Sequence, residues 1–278
     1  MWLLHWLPLP LLAAFGRGLG LALYVLVGER RHVTLTNLGL CFPHLPAAEK
    51  SALARRHFAA FGRSFIERGL TWWAPPERLR RLVRLEGMEH LSACAGQPVI
   101  LVAPHFVGLD MGWTRLSMEI DMASMYSNQK NPLFNHKLRA GRLRFGTCTL
   151  VSRQEGLRSL IRAIKLGRPL YYLPDMDYGR EESIFVPFFG VSTATIPALS
   201  RIARLTGAKV LLVVTGMDPD GWTVRIDPPW PDFPGADPVA DTQRMNAAIE
   251  QKIAAIPEQY LWMHKRFKTR PAGEQGVY

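Results

Sequence analysis

The segment Pro104-His-Phe-Val-Gly-Leu-Asp110 sets a histidine and an aspartate five positions apart, just after the apolar run Val99-Ile-Leu-Val-Ala103. A neutral imidazole can take a proton from an alcohol near pH 7 when a carboxylate fixes its tautomer and stabilises the imidazolium, which is the work of general-base acyl transfer. Residues five apart on a regular helix diverge by about 140°, so His105 and Asp110 meet only if the chain turns before a helix begins, and Gly108 permits that turn. The competing reading makes His105 a strand-end residue and Asp110 an acid in the first turn of a helix. A second acidic pair, Asp175 and Asp177 in LPDMDYG, follows the apolar run from Leu170 to Leu173, with Arg180 close behind. These acids are candidates for binding, with loop capping as the alternative for each. Arg142 and Arg144 in GRLR offer permanent charge and forked donors to a phosphate or to a developing oxyanion. An Asp-x-Asp pair also occurs in metal-dependent sugar transferases, which makes that class a rival. A metal hydrolase built on His105, Asp110 and His136 is a weaker one, because no ligand pair has i, i+4 spacing. No metal and no cofactor is expected.

These residues need elements to hold them. From Gln97 onward, short apolar runs alternate with helical stretches: Pro98 to Ala103, Met122 to Tyr126, Leu170 to Leu173 and Val210 to Val214, then an alternating strand from Trp222 to Ile226. Helices are predicted at Leu133 to Arg144, Glu155 to Lys165, Ile196 to Leu205 and Asp241 to Ala255. This is the pattern of an α/β fold, a mixed sheet with substantial parallel character flanked by helices, whose sites sit beyond the carboxyl ends of strands. Upstream, Pro46 to Trp73 reads as one amphipathic helix with Ala54, Phe58, Phe61 and Phe65 toward the core, and Pro75 and Pro76 end it and open a short basic helix. With no internal repeat and no linker, residues 31–278 read as a single domain. The aromatic stretch FVPFFG, Phe185 to Gly190, reads equally as a groove wall and as ordinary core.

Hydrophobic residues make up 48% and charged residues 21% of the 278, which excludes a disordered chain. The three cysteines, Cys41, Cys94 and Cys148, have no paired spacing, so neither a disulfide framework nor a zinc cluster is indicated. Lys and Arg number 34 against 23 Asp and Glu, a field that favours acidic partners. Two basic patches stand out, one from Lys137 to Arg168 and one at Lys265, Arg266, Lys268 and Arg270, and each also reads as a plain solvated face. Without zinc-finger spacing or an aromatic RNA-binding signature, nucleic acid is not an expected partner. Residues 1–30 are a different matter. Trp2 to Val27 is almost wholly apolar, followed by Glu29, Arg30 and Arg31, and reads as a membrane anchor or interfacial helix. Arg17 argues against a clean span, and Gly16, Gly18 and Gly20 suggest a break between Pro10 to Phe15 and Leu19 to Val27. A non-catalytic protein that only binds anionic membrane would share the anchor and the charge.

The blocks APHFVGLD, NPLFNHKLRAGRLRFGT, YYLPDMDYGREESIFVPFFGVSTATIPALSRIARLTGAKVLLV and YLWMHKRFKTRP, in this order, closely resemble the bacterial lipid A late acyltransferases, the lauroyl and myristoyl transferase group of the lysophospholipid acyltransferase superfamily. The likeness runs from RRHVTLTNLGLCFP to Pro271. It implies a glycerolipid-acyltransferase-like α/β fold with an inner-membrane anchor and a catalytic domain facing the cytoplasm. It also implies transfer of an acyl chain from a thioester, on acyl carrier protein or alternatively coenzyme A, to a hydroxyl of an anionic glycolipid, a lipid A precursor. In that reading His105 is the general base and Asp110 its orienting partner, Asp110 standing where several members carry Glu. Arg142 is the more functional of the GRLR pair, while Asp175 and Asp177, with Arg180 nearby, shape or bind at the acceptor site. None of the cysteines lies in these blocks and no Gly-x-Ser-x-Gly elbow is present, which argues for direct attack without an acyl-enzyme. The runner-up is an acyltransferase for another membrane lipid, such as a lysophospholipid, an aminolipid or a glycolipid.

Overall fold

All four side chains of the strand β2 (Val99–Val102) are buried because both of its faces are covered. Ile100 and Val102 enter one hydrophobic core, Val99 and Leu101 the other. The computed structural model describes residues 1–128, 130–152 and 157–278. Among them, β2 is joined by β1 (Val83–Glu86), β3 (Ala123–Tyr126), β4 (Thr149–Ser152), β5 (Leu170–Tyr172), β8 (Lys209–Met217) and β9 (Trp222–Ile226) in a seven-stranded sheet of order β1-β9-β8-β2-β5-β3-β4. The run β8-β2-β5-β3-β4 is parallel, whereas β9 is antiparallel to β8 and β1 is parallel to β9. A separate hairpin pairs β6 (Ile184–Phe188) with β7 (Val191–Thr195).

The expected mixed α/β sheet flanked by helices is the observed one. On one side lie α8 (Leu157–Lys165), α9 (Ala198–Thr206) and α10 (Pro238–Ala255); on the other, α4 (Pro76–Leu82) and α6 (Leu109–Leu116). The expected start of α8 at Glu155 lies outside the described residues. A short helix α5 (Met88–Ser92) follows β1, and α7 (Pro132–Arg142) follows β3. The strands β1 and β4 and the β6–β7 hairpin were not legible as apolar runs, nor was α2 (Gly28–Cys41), which is polar on average. In FVPFFG the two readings divide by position: Val186 and Phe188 are core, Pro187 is exposed and Phe185 is only partly covered.

The amino-terminal segment corrects an expectation. The helix α1 (Leu9–Leu26) runs through Gly16, Gly18 and Gly20 without a break. Gly16 and Gly20 instead let α1 approach the long helix α3 (Ala47–Trp73) at backbone distance. A Cβ on Gly16 would stand 2.5 Å from the Arg63 Cα, and one on Gly20 would overlap the Phe58 carbonyl. Gly62 of α3 reciprocates, since a Cβ there would strike the backbone of Gly16 and Gly20. Small residues at i and i+4 thus serve close helix packing here.

A buried ion pair ties α3 to the sheet. Arg63 Nε lies 2.5 Å from Glu67, whose second oxygen accepts from Trp222 Nε1 at 2.8 Å, and Arg63 also donates to the Asp218 carbonyl. Nearly two turns before Arg63, His57 is fully buried and donates from Nδ1 to the Glu258 carbonyl at 3.0 Å. Burial pushes this imidazole down to about 4 from an ordinary 6.5, partly opposed by the carbonyl contact. The unfolded chain therefore binds this proton near pH 6.5 and the folded chain only near pH 4. The neutral His57 contributes stability in full above pH 6.5, and that contribution drains away as pH falls from 6.5 toward 4, by about 3 kcal/mol in total. Denaturant titrations at pH 7 and 4.5 check this: the native chain should lose about 2 kcal/mol more between the two than a His57→Gln chain, and equal losses would refute it.

Candidate active site

The pairing of β2 with β5 builds the centre of the site. Val102 stands opposite Tyr172 in this parallel pair, and Ala103 N–H continues the ladder to the Tyr172 carbonyl at 2.7 Å. Three residues beyond each strand end come His105 and Asp175, so equal offsets from a fixed register bring them side by side. His105 Nδ1 is 2.7 Å from Asp175 Oδ1, and its backbone N–H donates to Oδ2 at 2.8 Å. An ionised carboxylate only accepts, so Nδ1 carries a proton in either state of the ring, and in the neutral ring Nε2 is left with its lone pair. Asp175 is almost completely buried. Burial pushes its carboxyl upward, but the His105 charge and the two His105 hydrogen bonds outweigh that and hold it below the ordinary range. The loop carrying His105 is stitched down by Leu261 N–H to the His105 carbonyl, by Val107 N–H to the Gln259 carbonyl and by Ser64 Oγ to the Val107 carbonyl.

The expectation that Asp110 is the carboxylate on His105 is corrected. Asp110 sits in the first turn of α6, after Gly108, and both its oxygens go to arginines. Arg142 donates from Nε and a terminal nitrogen to Oδ1 at 3.0 and 2.7 Å, and Arg68 of α3 reaches Oδ2 at 3.0 Å. Burial is the largest influence on this carboxyl and pushes it up, yet the Arg142 and Arg68 charges and the Arg142 hydrogen bond together hold it at about 2. Two guanidiniums and a helix N-terminus outbid one imidazole for the carboxylate. Arg142 is set in turn by Trp113, whose indole N–H donates to the Arg142 carbonyl at 2.8 Å. His105 lies close enough for its charge to act on Asp110 as a minor influence.

The remaining sequence candidates are engaged in holding loops. Asp177 accepts from Gly179 N–H, Thr269 N–H and Thr269 Oγ1, which fastens the loop after β5 to the carboxyl-terminal tail. Arg144 donates to the Thr71 and Ala74 carbonyls at the end of α3 and lies over the Phe145 ring. Arg180 donates to the Arg270 carbonyl beside Phe185. The basic tail is no solvated patch. Arg266 is buried, donating to Ala194 O and Thr195 Oγ1; Arg270 donates to Ser192 O and pairs with Glu274; and Lys265 pairs with Glu29, which leaves Lys268 exposed.

Sequence reasoning missed Arg68 and His264. Arg68 looked like one more polar position on an amphipathic helix, and nothing in its spacing points to Asp110. His264 accepts from Asp177 N–H at Nε2. Burial, helped by the nearby His105 charge, pushes it down to about 4, so it stays neutral and keeps that acceptor. A mainly apolar cavity of about 400 Å³, lined by Leu23, Val27, Arg30, Phe58, Phe61, Met176, Leu261, Met263 and His264, reaches the residue after Asp175 and the residue whose N–H holds the His105 carbonyl. Among the described residues no group of three or more His, Cys, Asp or Glu is placed to hold a metal ion.

An oriented imidazole at the carboxyl edge of a parallel sheet, a fixed arginine at the end of α7 and an apolar cavity alongside together suit acyl transfer. The model of the family described as bacterial lipid A biosynthesis acyltransferase matches residues 1–269. The chain belongs to this family. It is 34% identical to the lipid A biosynthesis palmitoleoyltransferase and to the lipid A biosynthesis lauroyltransferase of Escherichia coli (strain K12), in both cases over 100% of this chain and 92% of the relative. A lipid A biosynthesis acyltransferase of Haemophilus influenzae is 32% identical over 95% of this chain and 86% of its own length. This acyltransferase thus contains two carboxylates with distinct partners. For Asp110 the expected consequence is a stability term present above pH 3.8 and lost as pH falls through 3.8 to about 2, where the folded carboxyl titrates. Asp110→Asn should cost about 2 kcal/mol at pH 7 in denaturant titrations. The gap to the native chain should close toward pH 2, and a gap that does not change with pH would refute the ion-pair account.

Proposed function

We propose that this acyltransferase moves a fatty acyl chain from an acyl thioester, on acyl carrier protein, to a hydroxyl of a lipid A precursor at the cytoplasmic face of the inner membrane. The observation that carries the reaction type is the 2.7 Å contact between His105 Nδ1 and Asp175. With Nδ1–H held by the carboxylate, Nε2 takes the proton from the acceptor hydroxyl, and the resulting alkoxide attacks the thioester carbonyl. The tetrahedral oxyanion collapses, the carbon–sulfur bond breaks, and the thiolate recovers the proton from the His105 imidazolium. Products are an ester and a free thiol, and no acyl-enzyme is needed. Asp175 stabilises the imidazolium without taking the proton, the division of labour known from hydrolase triads.

Arg142, which gives two hydrogen bonds to one oxygen of Asp110, offers its remaining donors to the developing oxyanion or to an acceptor phosphate, with Arg68 completing the positive cluster. Asp110 is then a positioning residue, and Asp177, Arg144 and Arg180 frame the loops around the site. The cavity beside His105 suits one acyl chain, because its walls are mainly apolar and it abuts the residue after Asp175. Both substrates are acidic, which the chain's excess of 34 basic over 23 acidic residues favours.

Lipid A mass spectrometry on cells lacking this protein tests the assignment. A deficit of one acyl chain should be restored by the native gene and not by His105→Ala. Unchanged lipid A in a strain without a redundant enzyme would refute the acceptor. With purified protein, Asp175→Asn should lower kcat by roughly 10²- to 10⁴-fold with KM little changed. Asp110→Asn, which loosens Arg142, should raise KM as well as lower kcat. A kcat for Asp175→Asn near the native value would remove Asp175 from the mechanism.

A further inference from the structure

The helix α1 is long and apolar enough to cross a bilayer. Its surroundings give it a different orientation. Residues 1–27 run antiparallel to α3 along their whole length: Gly20 against Phe58, Gly16 against Arg63, Leu9 and Leu12 in one core with Ile66 and Leu70, and the Met1 carbonyl against Gly69. The seam is closed at backbone distance by Gly16, Gly20 and Gly62, so α1 cannot tilt away from α3 while it persists. On α3, the residue facing the middle of α1 is Arg63, which donates to the Asp218 carbonyl; Asp218 and Asp220 pair with Arg84 in a cluster that includes well-exposed charges. Were α1 to span the bilayer, Gly16 would lie near its centre and this exposed charged turn would be drawn toward the same depth, which hydrocarbon does not tolerate.

The outward face of the same segment is apolar and continuous. Trp2, Leu3, Trp6, Leu11, Phe15, Leu21, Val25 and Leu26 are each 46% to 79% exposed. Exposed Arg17 and Arg30 lie within or at the end of it, and Arg31 folds back onto the Tyr24 carbonyl. We propose that residues 1–27 lie in the plane of one leaflet of an anionic bilayer, with α1 parallel to the membrane and its outward face among the acyl chains, an inference that rests on the lipid-acceptor reading above. The tryptophans then sit at headgroup level, and Arg17 reaches phosphate from a shallow position. Leu23 and Val27 of α1 also wall the apolar cavity that reaches Met176, the residue after Asp175, so the membrane-facing helix and the site share one apolar surface.

The test uses the full chain in a Cys148→Ser background, since Cys41 and Cys94 are buried. Single cysteines at Leu11, Phe15, Gly18 and Val25 carry nitroxide labels, and their depth is read by power-saturation EPR in vesicles of phosphatidylethanolamine and phosphatidylglycerol. An in-plane helix gives a flat profile, all four labels about 5–10 Å below the headgroups. A spanning helix, rising about 1.5 Å per residue, gives shallow labels at both ends and one near the bilayer centre at position 18. That V-shaped profile, or labels that stay in water, would overturn the proposal. Acyl transfer by the same labelled proteins separates the two readings. A V-shaped or aqueous profile with transfer intact defeats only the orientation, whereas a native chain that transfers no acyl group defeats the lipid-acceptor reading.

Discussion

The register between β2 and β5 is the constraint on which the site depends. Two parallel strands in fixed pairing deliver their following residues to one edge, and here Val102 opposite Tyr172 means that His105 and Asp175 leave the sheet at the same level. A slip of one residue would turn every side chain of β2 to the other face, moving Ile100 and Val102 out of one core and Val99 and Leu101 out of the other. The His105–Asp175 contact is therefore protected by the packing of the sheet. A residue in a flexible loop would have no such guarantee, and the loop after β2 is additionally pinned through Gln259 and Leu261.

Electrostatics then divides the two carboxylates. Each is pushed toward neutrality by burial, and each is kept ionised by a different partner: Asp175 by His105, Asp110 by Arg142 and Arg68. A carboxylate already saturated by two guanidiniums has little left for an imidazole, while Asp175 is placed to accept both the ring and the backbone N–H of His105. The motif spacing brings Asp110 into the neighbourhood and leaves its partner to be decided by what else arrives there. Arg142 comes from α7 and Arg68 from α3, so that decision is made by tertiary packing.

That is also where legibility in the sequence ends. The strands β2, β5, β8 and β9 and the helix α3 announced themselves through buried apolar runs and helical spacing, and His105, Asp110, Arg142 and Asp175 were all marked by type and by their place after a strand or in a basic block. Which acid meets the histidine was not legible, because it depends on the order of strands in the sheet, and β2 and β5 are separated by about seventy residues. Asp177 and Arg144 carried the same local signal as their neighbours and turned out to be spent on Thr269 and on the end of α3. The glycines of α1 misled for a related reason. Read alone, they weaken a helix; read against Gly62, they are what lets two helices touch.

Helix α3 connects these levels. On one side its Gly62 admits α1 and its Arg63 and Glu67 lock onto the sheet through Asp218 and Trp222; on another, Ser64 holds the loop of His105 and Arg68 holds Asp110. Residues 62, 63, 64, 67 and 68 fall within two turns, so the positions of the amino-terminal segment and of the His105 loop are set by one rigid piece of backbone. Any rotation of α3 that relieved a larger side chain at Gly62 would swing Ser64 and Arg68 with it. A chemically inert glycine is thereby coupled to the placement of His105, through the rigid turn that joins it to Ser64 and the Ser64 hydrogen bond to the His105 loop.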